Sequence, residues 1–347
     1  MWRTRGQDRI IDLLKRGMQS RNVAHSYLLI GPPHVGKETL AIELAQALNC
    51  ESADPPCGQC RSCRHIAERK HPDVVFVNLK LAAELYRNSD EDEVAPRTKI
   101  GIDCIRELQH MANMPAYEGK YRVFIFEETA QLSTPAANRL LKTLEEPPDN
   151  VIWLLLSSEE SLLLPTVVSR CQILKLKPMK LSEIKEILEV DYGIEESKAE
   201  LLSHLSQGCP GWAISAMEDN GVMELRFGDI DMISSLLSAG IEERFAYAGK
   251  IASEVSKNRQ VAMRFIGSAC SWWRDLMLVK GNCQETVVNI DYLAVLEEQA
   301  KCISIADIKD FIINLYSAEE QISRNVNARL AFESLMINMP RISVLAK

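Results

Sequence analysis

The chain has 347 residues, 46% of them hydrophobic and 25% charged, a composition that predicts about two or three folded domains and argues against disorder. Its net charge of -8 disfavours a protein that holds nucleic acid unaided, because neutralising phosphates requires concentrated lysine and arginine. The longest apolar runs, residues 151–156 and 162–168, are too short to span a membrane, and the N-terminus lacks the apolar core of a secretion signal. We therefore expect a cytoplasmic protein without membrane contact.

The first half of the chain alternates short apolar runs with amphipathic stretches, which is typical of a parallel sheet flanked by helices. Strands are predicted at residues 27–30, 74–78, 121–126, 151–156 and 172–176. Helices are predicted over about residues 37–49 and 135–146. Between them, residues 87–99 form a charged loop, whose acidic run at 90–93 we assign to solvated surface. These elements predict a nucleotide-binding α/β core.

The first strand leads into GPPHVGKE at residues 31–38, which fits the phosphate-loop pattern G-x-x-x-x-G-K up to its last position. Gly31, Gly36, Lys37 and the backbone amides can still cradle phosphates. The next position should be a serine or threonine whose hydroxyl binds magnesium, but here it is Glu38, which adds negative charge beside a triphosphate. Thr39 comes one residue late and points about 100° away on a helix. We therefore predict a degenerate site with impaired binding of ATP and Mg²⁺.

Four cysteines follow the phosphate-loop helix at the spacing Cys-x6-Cys-x2-Cys-x2-Cys. They are Cys50, Cys57, Cys60 and Cys63. Four thiolates so close together predict one closed, tetrahedral, structural zinc site, for which His65 would be a surplus substitute ligand. Two alternatives use the same sulfurs: redox thiols in C-x-x-C pairs, and an iron–sulfur cluster. The other six cysteines are scattered among apolar residues, as expected of buried free thiols in a reducing compartment.

The second metal-binding element should be an aspartate at the end of a buried strand, and the run VFIFEE offers Glu127 and Glu128 in place of Asp-Glu. Glu127 is one methylene longer than aspartate, which displaces the geometry on which phosphoryl transfer depends. The alternative is that both glutamates are surface charges at a strand end.

After Pro178 the apolar positions recur three and four residues apart, which predicts helices and no further strands. A break near residues 220–221 or at Gly228 would divide a helical unit at 179–220 from a second helical domain at 221–347. We interpret the pair Trp272 and Trp273 as helix packing, because no basic cluster surrounds it as in a base-stacking platform.

Longer sequence runs are spread over nearly the whole chain. They are RNVAHSY at 21–27, HPD at 71–73, IDCIREL at 102–108, NRLLKTLEEPP at 138–148, SRC at 169–171, WWRDLMLVK at 272–280 and RNVNARLAFESL at 324–335. With the phosphate loop and the four cysteines, they resemble the delta-prime branch of the bacterial DNA polymerase III clamp-loader family, within the AAA+ superfamily. LEEPP together with SRC is specific to clamp loaders, whereas G-x-x-x-x-G-K is shared by many unrelated proteins.

The resemblance implies an α/β P-loop AAA+ core at residues 1–178 with a zinc-binding insertion at 50–63, a small helical lid at 179–220 and an all-α collar at 221–347. It implies a hetero-pentamer with gamma/tau and delta-type subunits, which opens a sliding clamp onto primed DNA in chromosomal replication as part of the DNA polymerase holoenzyme. Arg170 of the SRC motif would project toward the ATP of a neighbouring subunit as an arginine finger, worth roughly 10³ to 10⁵ in rate. Its alternative role is a surface ion pair.

Departures from the family pattern predict a stator with negligible ATPase activity of its own. Besides Glu38 and Glu127, the turn GCPGW at residues 208–212 lacks the arginine with which hydrolysing relatives sense the γ-phosphate, while Ser157 or Ser158 could fill a polar sensor position. The second hypothesis is a gamma/tau-like motor that tolerates these changes. The third, a free-standing zinc-dependent nucleic-acid-binding module, is disfavoured by the acidic charge balance.

Overall fold

The computed structural model describes residues 2–87, 99–255, 258–323 and 326–342. The chain divides into two compact units, Met1–Lys180 with Cys209–Gly211, and Leu181–Gly208 with Trp212–Lys347. Most of the predicted charged loop, including its acidic run, lies outside the described residues, as do residues 324–325 of the last family run. Within the described ranges, no helix is long and apolar enough to cross a membrane.

The first unit is built on a five-stranded parallel sheet with the strand order β2-β3-β4-β1-β5. The strands are β1 (Ser26–Ile30), β2 (Val74–Val77), β3 (Arg122–Phe126), β4 (Val151–Ser157) and β5 (Gln172–Lys175). All five predicted strands are confirmed to within one residue at each end. Every residue of β1, β3 and β4 is buried. Strands that are covered on both faces consist of nearly continuous apolar residues, which is why these strands could be predicted.

Seven helices of the first unit lie in the described residues. They are α1 (Asp8–Gln19), α2 (Lys37–Asn49), α3 (Arg61–Ala67), α4 (Leu79–Arg87), α5 (Ile102–Ala112), α6 (Thr134–Glu145) and α7 (Pro165–Val168). The helix predicted after the phosphate loop is confirmed as α2, and α6 begins and ends one residue earlier than predicted. The Ser133 hydroxyl caps α6 by accepting a hydrogen bond from the backbone N–H of Ala136, which fixes its start.

The described part of the second unit contains helices and no strand, as predicted. The helices are α8 (Leu181–Val190), α9 (Glu196–Leu205), α10 (Pro210–Glu218, which begins in the first unit), α11 (Asn220–Ser238), α12 (Ile241–Val255), α13 (Gln260–Lys280), α14 (Leu293–Cys302), α15 (Ile305–Ser323) and α16 (Ala328–Asn338). Gly228 lies inside α11, so a break at that residue is wrong: one glycine weakens a helix by only about 1 kcal/mol. The division at residues 220–221 stays a prediction.

The tryptophan pair of α13 lies in the core of the second unit. Trp272 and Trp273 are fully buried, and the ring of Trp273 lies 4.4 Å from that of Phe311 on α15. These contacts agree with helix packing.

Asp73 fixes the loop that leads into β3. Its fully buried carboxylate accepts hydrogen bonds from the backbone N–H groups of Tyr117 (2.7 Å), Glu118 (2.9 Å) and Gly119 (2.8 Å), and from the guanidinium of Arg122 (2.9 Å). Burial raises the pKa of Asp73, but these donors outweigh burial and lower the pKa to about 2.

We predict that Asp73→Asn destabilises the first unit by about 3 kcal/mol, because it leaves Arg122 buried without its counter-charge. Urea unfolding measures this, with the exposed pair of Asp103 and Arg106 as control: Asp103→Asn should change the free energy of unfolding by less than about 0.5 kcal/mol. A folded-state pKa below the unfolded value means that the stabilisation by Asp73 is complete above about pH 4 and is lost toward about pH 2. Equal losses in the two variants would contradict this role.

Candidate functional site

The phosphate loop follows β1, and its backbone depends on two glycines. Gly36 directly precedes α2 with a φ of 101°, a left-handed conformation that favours glycine. A Cβ on Gly31 would lie 2.8 Å from the carbonyl oxygen of Leu176, so a side chain has no room there. The turn places the N-terminus of α2, where an anion is stabilised, at the carboxyl end of β1.

Lys37 is folded back onto its own loop. Its Nζ donates hydrogen bonds to the carbonyl oxygens of Gly31 at 2.6 Å and Pro32 at 2.8 Å. Burial lowers the pKa of Lys37, while the nearby Glu128 and Cys209 act in the opposite direction. A phosphate bound by Lys37 would have to compete with these two hydrogen bonds.

Arg69 bridges the two carboxylates at the predicted magnesium positions. Its Nη2 donates to Oε1 of Glu38, and its Nη1 donates to Oε1 of Glu127 at 2.5 Å. The side-chain amide of Asn78 donates to the other oxygen of Glu127 at 3.0 Å. The guanidinium carbon of Arg69 also lies 4.7 Å from the ring centroid of Phe76, which is a cation–π geometry.

This arrangement does not fit a magnesium ion. Mg²⁺ requires oxygen ligands at about 2.0–2.1 Å in near-octahedral geometry. Glu38 and Glu127 instead share a guanidinium, which is a donor only. No motif in the sequence pointed to Arg69, because it lies 31 residues from Glu38 and 58 from Glu127. The sequence feature that could have found it is its place as a basic residue just before the HPD run, which leads into β2.

Glu128 and Lys37 are brought together at the carboxyl end of β3. Burial raises the pKa of Glu128, while the backbone N–H of Ala130 and the charge of Lys37 oppose the shift. In the part of the chain that the structure describes, the buried Oε1 of Glu128 and the buried hydroxyl of Thr129 have no hydrogen-bond partner.

The hydroxyl residues considered from the sequence do not complete a metal site. Thr39 is exposed on α2. Ser157 is buried at the end of β4, and its hydroxyl donates to the carbonyl oxygen of Glu159 at 2.8 Å. Ser158 is half-buried.

The backbone of Gly211 lies directly against the phosphate loop. Its N–H donates to the carbonyl oxygen of His34 at 3.0 Å, and a Cβ on Gly211 would lie 2.8 Å from that oxygen. No side chain, and therefore no arginine, fits at position 211.

Arg170 follows α7 and pairs with α6 of its own chain. Its Nε donates to Oε1 of Glu145 at 2.7 Å, and its Nη1 donates to the carbonyl oxygen of Thr166 at 2.9 Å. The ion pair considered as the alternative role is therefore present. The side chain of Arg170 is nevertheless 34% exposed.

The four predicted cysteine ligands converge between α2 and α3. Their Sγ atoms all lie within 4.8 Å of one another, and those of Cys57 and Cys63 are 4.0 Å apart. A tetrahedral zinc ion with bonds of about 2.3 Å would separate its sulfurs by about 3.8 Å. All four are free thiols, so the cluster can hold a metal ion. His65 is not among the converging residues.

Backbone N–H groups support the thiolate form of this cluster. Those of Cys60 and Gln59 approach the sulfur of Cys57 at 3.3 and 3.4 Å and lower the pKa of Cys57 to about 6. Burial raises the pKa of Cys63, so a thiolate at that position requires a cation beside it. Four thiolates would suit a metal ion that prefers sulfur ligands.

Comparison with known proteins places these features in one family. The model of the family described as "DNA polymerase III, delta subunit" matches residues 6–180. The tau subunit of Bacillus subtilis is 28% identical over 280 residues, which cover 78% of this chain and 46% of tau. The delta' subunit of the same organism is 22% identical over 332 residues, which cover 95% of each chain. A solved gamma-subunit-related protein from Thermotoga maritima has 17% identity and a TM-score of 0.41, covering 94% of this chain and 98% of that one.

The chain spans less than half the length of the tau relatives that it matches. The family match, in contrast, extends over half of this chain and includes the phosphate loop, the cysteine cluster, Arg69 and Arg170. The chain therefore belongs to the DNA polymerase III delta subunit family, a family of clamp-loader subunits.

Proposed function

We propose that this chain is a delta-prime-type stator of the clamp loader, which helps load a sliding clamp onto primed DNA without hydrolysing ATP itself. The observation that carries the proposal is the Arg69 bridge between Glu38 and Glu127. Phosphoryl transfer depends on a metal ion that neutralises charge between the β- and γ-phosphates, and here both candidate metal ligands are paired with a side chain.

In this proposal the chain works in a hetero-pentamer with gamma/tau and delta-type subunits. Residues 1–178 form an AAA+ core, residues 179–220 a helical lid and residues 221–347 a collar that joins the subunits. The alignment with a delta' subunit along 95% of both chains supports this assignment. DNA would be contacted through the assembly, because the net charge of this chain is -8.

Arg170 would act on the ATP of a neighbouring subunit. Glu145 and the carbonyl oxygen of Thr166 hold its guanidinium in one orientation, while a third of the side chain remains exposed. A planar cation fixed in advance can stabilise charge on a transferred phosphoryl group without reorganising. Glu145 would then be a positioning residue for the finger.

The second candidate is a gamma/tau-like ATPase. It is favoured by the 28% identity with tau over 78% of this chain and by the preserved pair of Lys37 and Glu128. The two candidates differ in what the isolated chain does with ATP.

We predict that the isolated chain hydrolyses ATP at less than about 0.01 s⁻¹, whereas enzymes typically turn over at about 1 to 10³ s⁻¹. Lys37→Ala should leave this background unchanged, because the ammonium group assists no reaction. A phosphate-release assay with both proteins tests this. Turnover near 1 s⁻¹ that Lys37→Ala abolishes would establish the motor instead.

We predict that Arg170→Ala leaves assembly of the loader intact but slows the ATP site that faces this chain by about 10³-fold. DNA-stimulated hydrolysis by the reconstituted complex is the measurement, and Arg106→Ala, which removes another surface ion pair, is the matched control. Unchanged turnover with Arg170→Ala in a fully assembled complex would rule out the finger.

We also propose that the metal of the cysteine cluster is a structural zinc ion, since four thiolates leave no position for a substrate or water. The fold of α3 would depend on it, because Cys60 caps this helix and Cys63 lies in its first turn. The sheet has its own hydrophobic core and would not depend on it.

Metal analysis should find about one zinc per chain, and chelation should increase hydrogen exchange in residues 50–70 while β1, β3 and β4 stay protected. Cys60→Ser should lose the metal, whereas Cys283→Ser, at an exposed cysteine outside the cluster, should keep it. Iron in place of zinc would instead support an iron–sulfur cluster. A reversible disulfide in a metal-free protein would support redox thiols.

A further inference from the structure

Arg69 occupies a backbone position where arginine is disfavoured. The helix α3 ends in a Schellman motif, in which the N–H of Arg69 donates to the carbonyl oxygen of Ile66 at 3.0 Å and that of Lys70 to His65 at 2.8 Å. Arg69 has a φ of 58° at the position that this motif normally gives to glycine. Its side chain must therefore make contacts that offset an unfavourable backbone conformation.

Those contacts come from three separate elements. Glu38 lies in the first turn of α2, Glu127 follows β3, and the ring of Phe76 belongs to β2. The side chains of Arg69 and Glu38 are about half exposed, but that of Glu127 is only 25% exposed and also holds Asn78. One guanidinium thus joins the start of the phosphate-loop helix to the ends of two neighbouring strands.

We infer that Arg69 is a built-in counter-ion that takes the place of the divalent cation at this phosphate loop and makes the pocket insensitive to magnesium. Two carboxylates and one guanidinium sum to a single negative charge, whereas the two carboxylates alone would present two. A divalent cation approaching Glu38 and Glu127 is therefore repelled by Arg69 and must displace both of its ion pairs.

The cysteine cluster contributes to this role by holding α3, the helix that leads into the turn with Arg69. Cys60 accepts the N–H of Cys63 at the start of α3, and the side-chain amide of Gln46, on α2, donates to the carbonyl oxygen of Cys63 at 2.7 Å. The start of α3 is thereby tied to α2, and its end directs Arg69 toward the carboxylate of Glu38 on the same helix α2.

This role for Arg69 rests on the proposed function, so its test uses the isolated, zinc-loaded chain and not the loader. The variant is Arg69→Gly, which removes the cation and supplies the residue that the backbone favours. Arg21→Gly is the matched control, because Arg21 also has a left-handed backbone, with a φ of 54°, in the turn after α1. Binding of Mn²⁺ is followed through the paramagnetic resonance signal of the free ion.

Arg69→Gly should bind one Mn²⁺ at least about tenfold more tightly than the wild-type chain and the Arg21→Gly control. The gain should disappear in the double variant Arg69→Gly/Glu127→Gln, which lacks one of the two carboxylates. Arg69→Gln gives the same comparison if the glycine variant does not fold. Equal Mn²⁺ binding by wild type and Arg69→Gly, or a gain that survives Glu127→Gln, would overturn the inference while leaving clamp loading by the reconstituted complex unaffected.

Discussion

Two carboxylates meet at the carboxyl end of the parallel sheet, and the cation between them decides what the pocket can do. The sheet order brings the phosphate loop after β1 and the glutamates after β3 to one edge, so Glu38 and Glu127 need a positive charge nearby. Arg69 supplies it from within the chain. In the function that we propose, the scaffold of a nucleotide site is thus kept, with a backbone turn and a lysine in place, while Arg69 takes the position of the metal ion.

The helix α3 links two features that look independent in the sequence. Its start is built into the cysteine cluster, and the turn that follows its C-terminus presents Arg69 to Glu38 and Glu127. A metal in the cluster would therefore do more than tie down a polar loop. The seven residues of α3 span about 10 Å at 1.5 Å per residue, so a metal that fixes the start of this helix would also help to fix the turn that holds Arg69.

The features that depend on local pattern could be predicted from the sequence. Buried parallel strands are continuous apolar runs, and the four cysteines have a spacing that only a compact turn can satisfy, so both are recognisable from the order of the residues alone. The role of Arg69 cannot be recognised in this way, because its partners come together only when three elements pack against one another. The partner of Arg170, Glu145, was missed for the same reason. The break considered at Gly228 was wrong because glycine, although common at the ends of helices and in loops, is tolerated inside a long helix such as α11.

The two hydrogen bonds from Lys37 to the carbonyl oxygens of Gly31 and Pro32 bear on how the folded chain survives in the cell. A protein whose loop is held open for a nucleotide gains stability from that ligand in proportion to the logarithm of its concentration. In the stator that we propose, whose phosphate loop is held by its own lysine, nucleotide would add little to that stability. The folded population of such a stator would then stay nearly constant when the concentration of ATP falls.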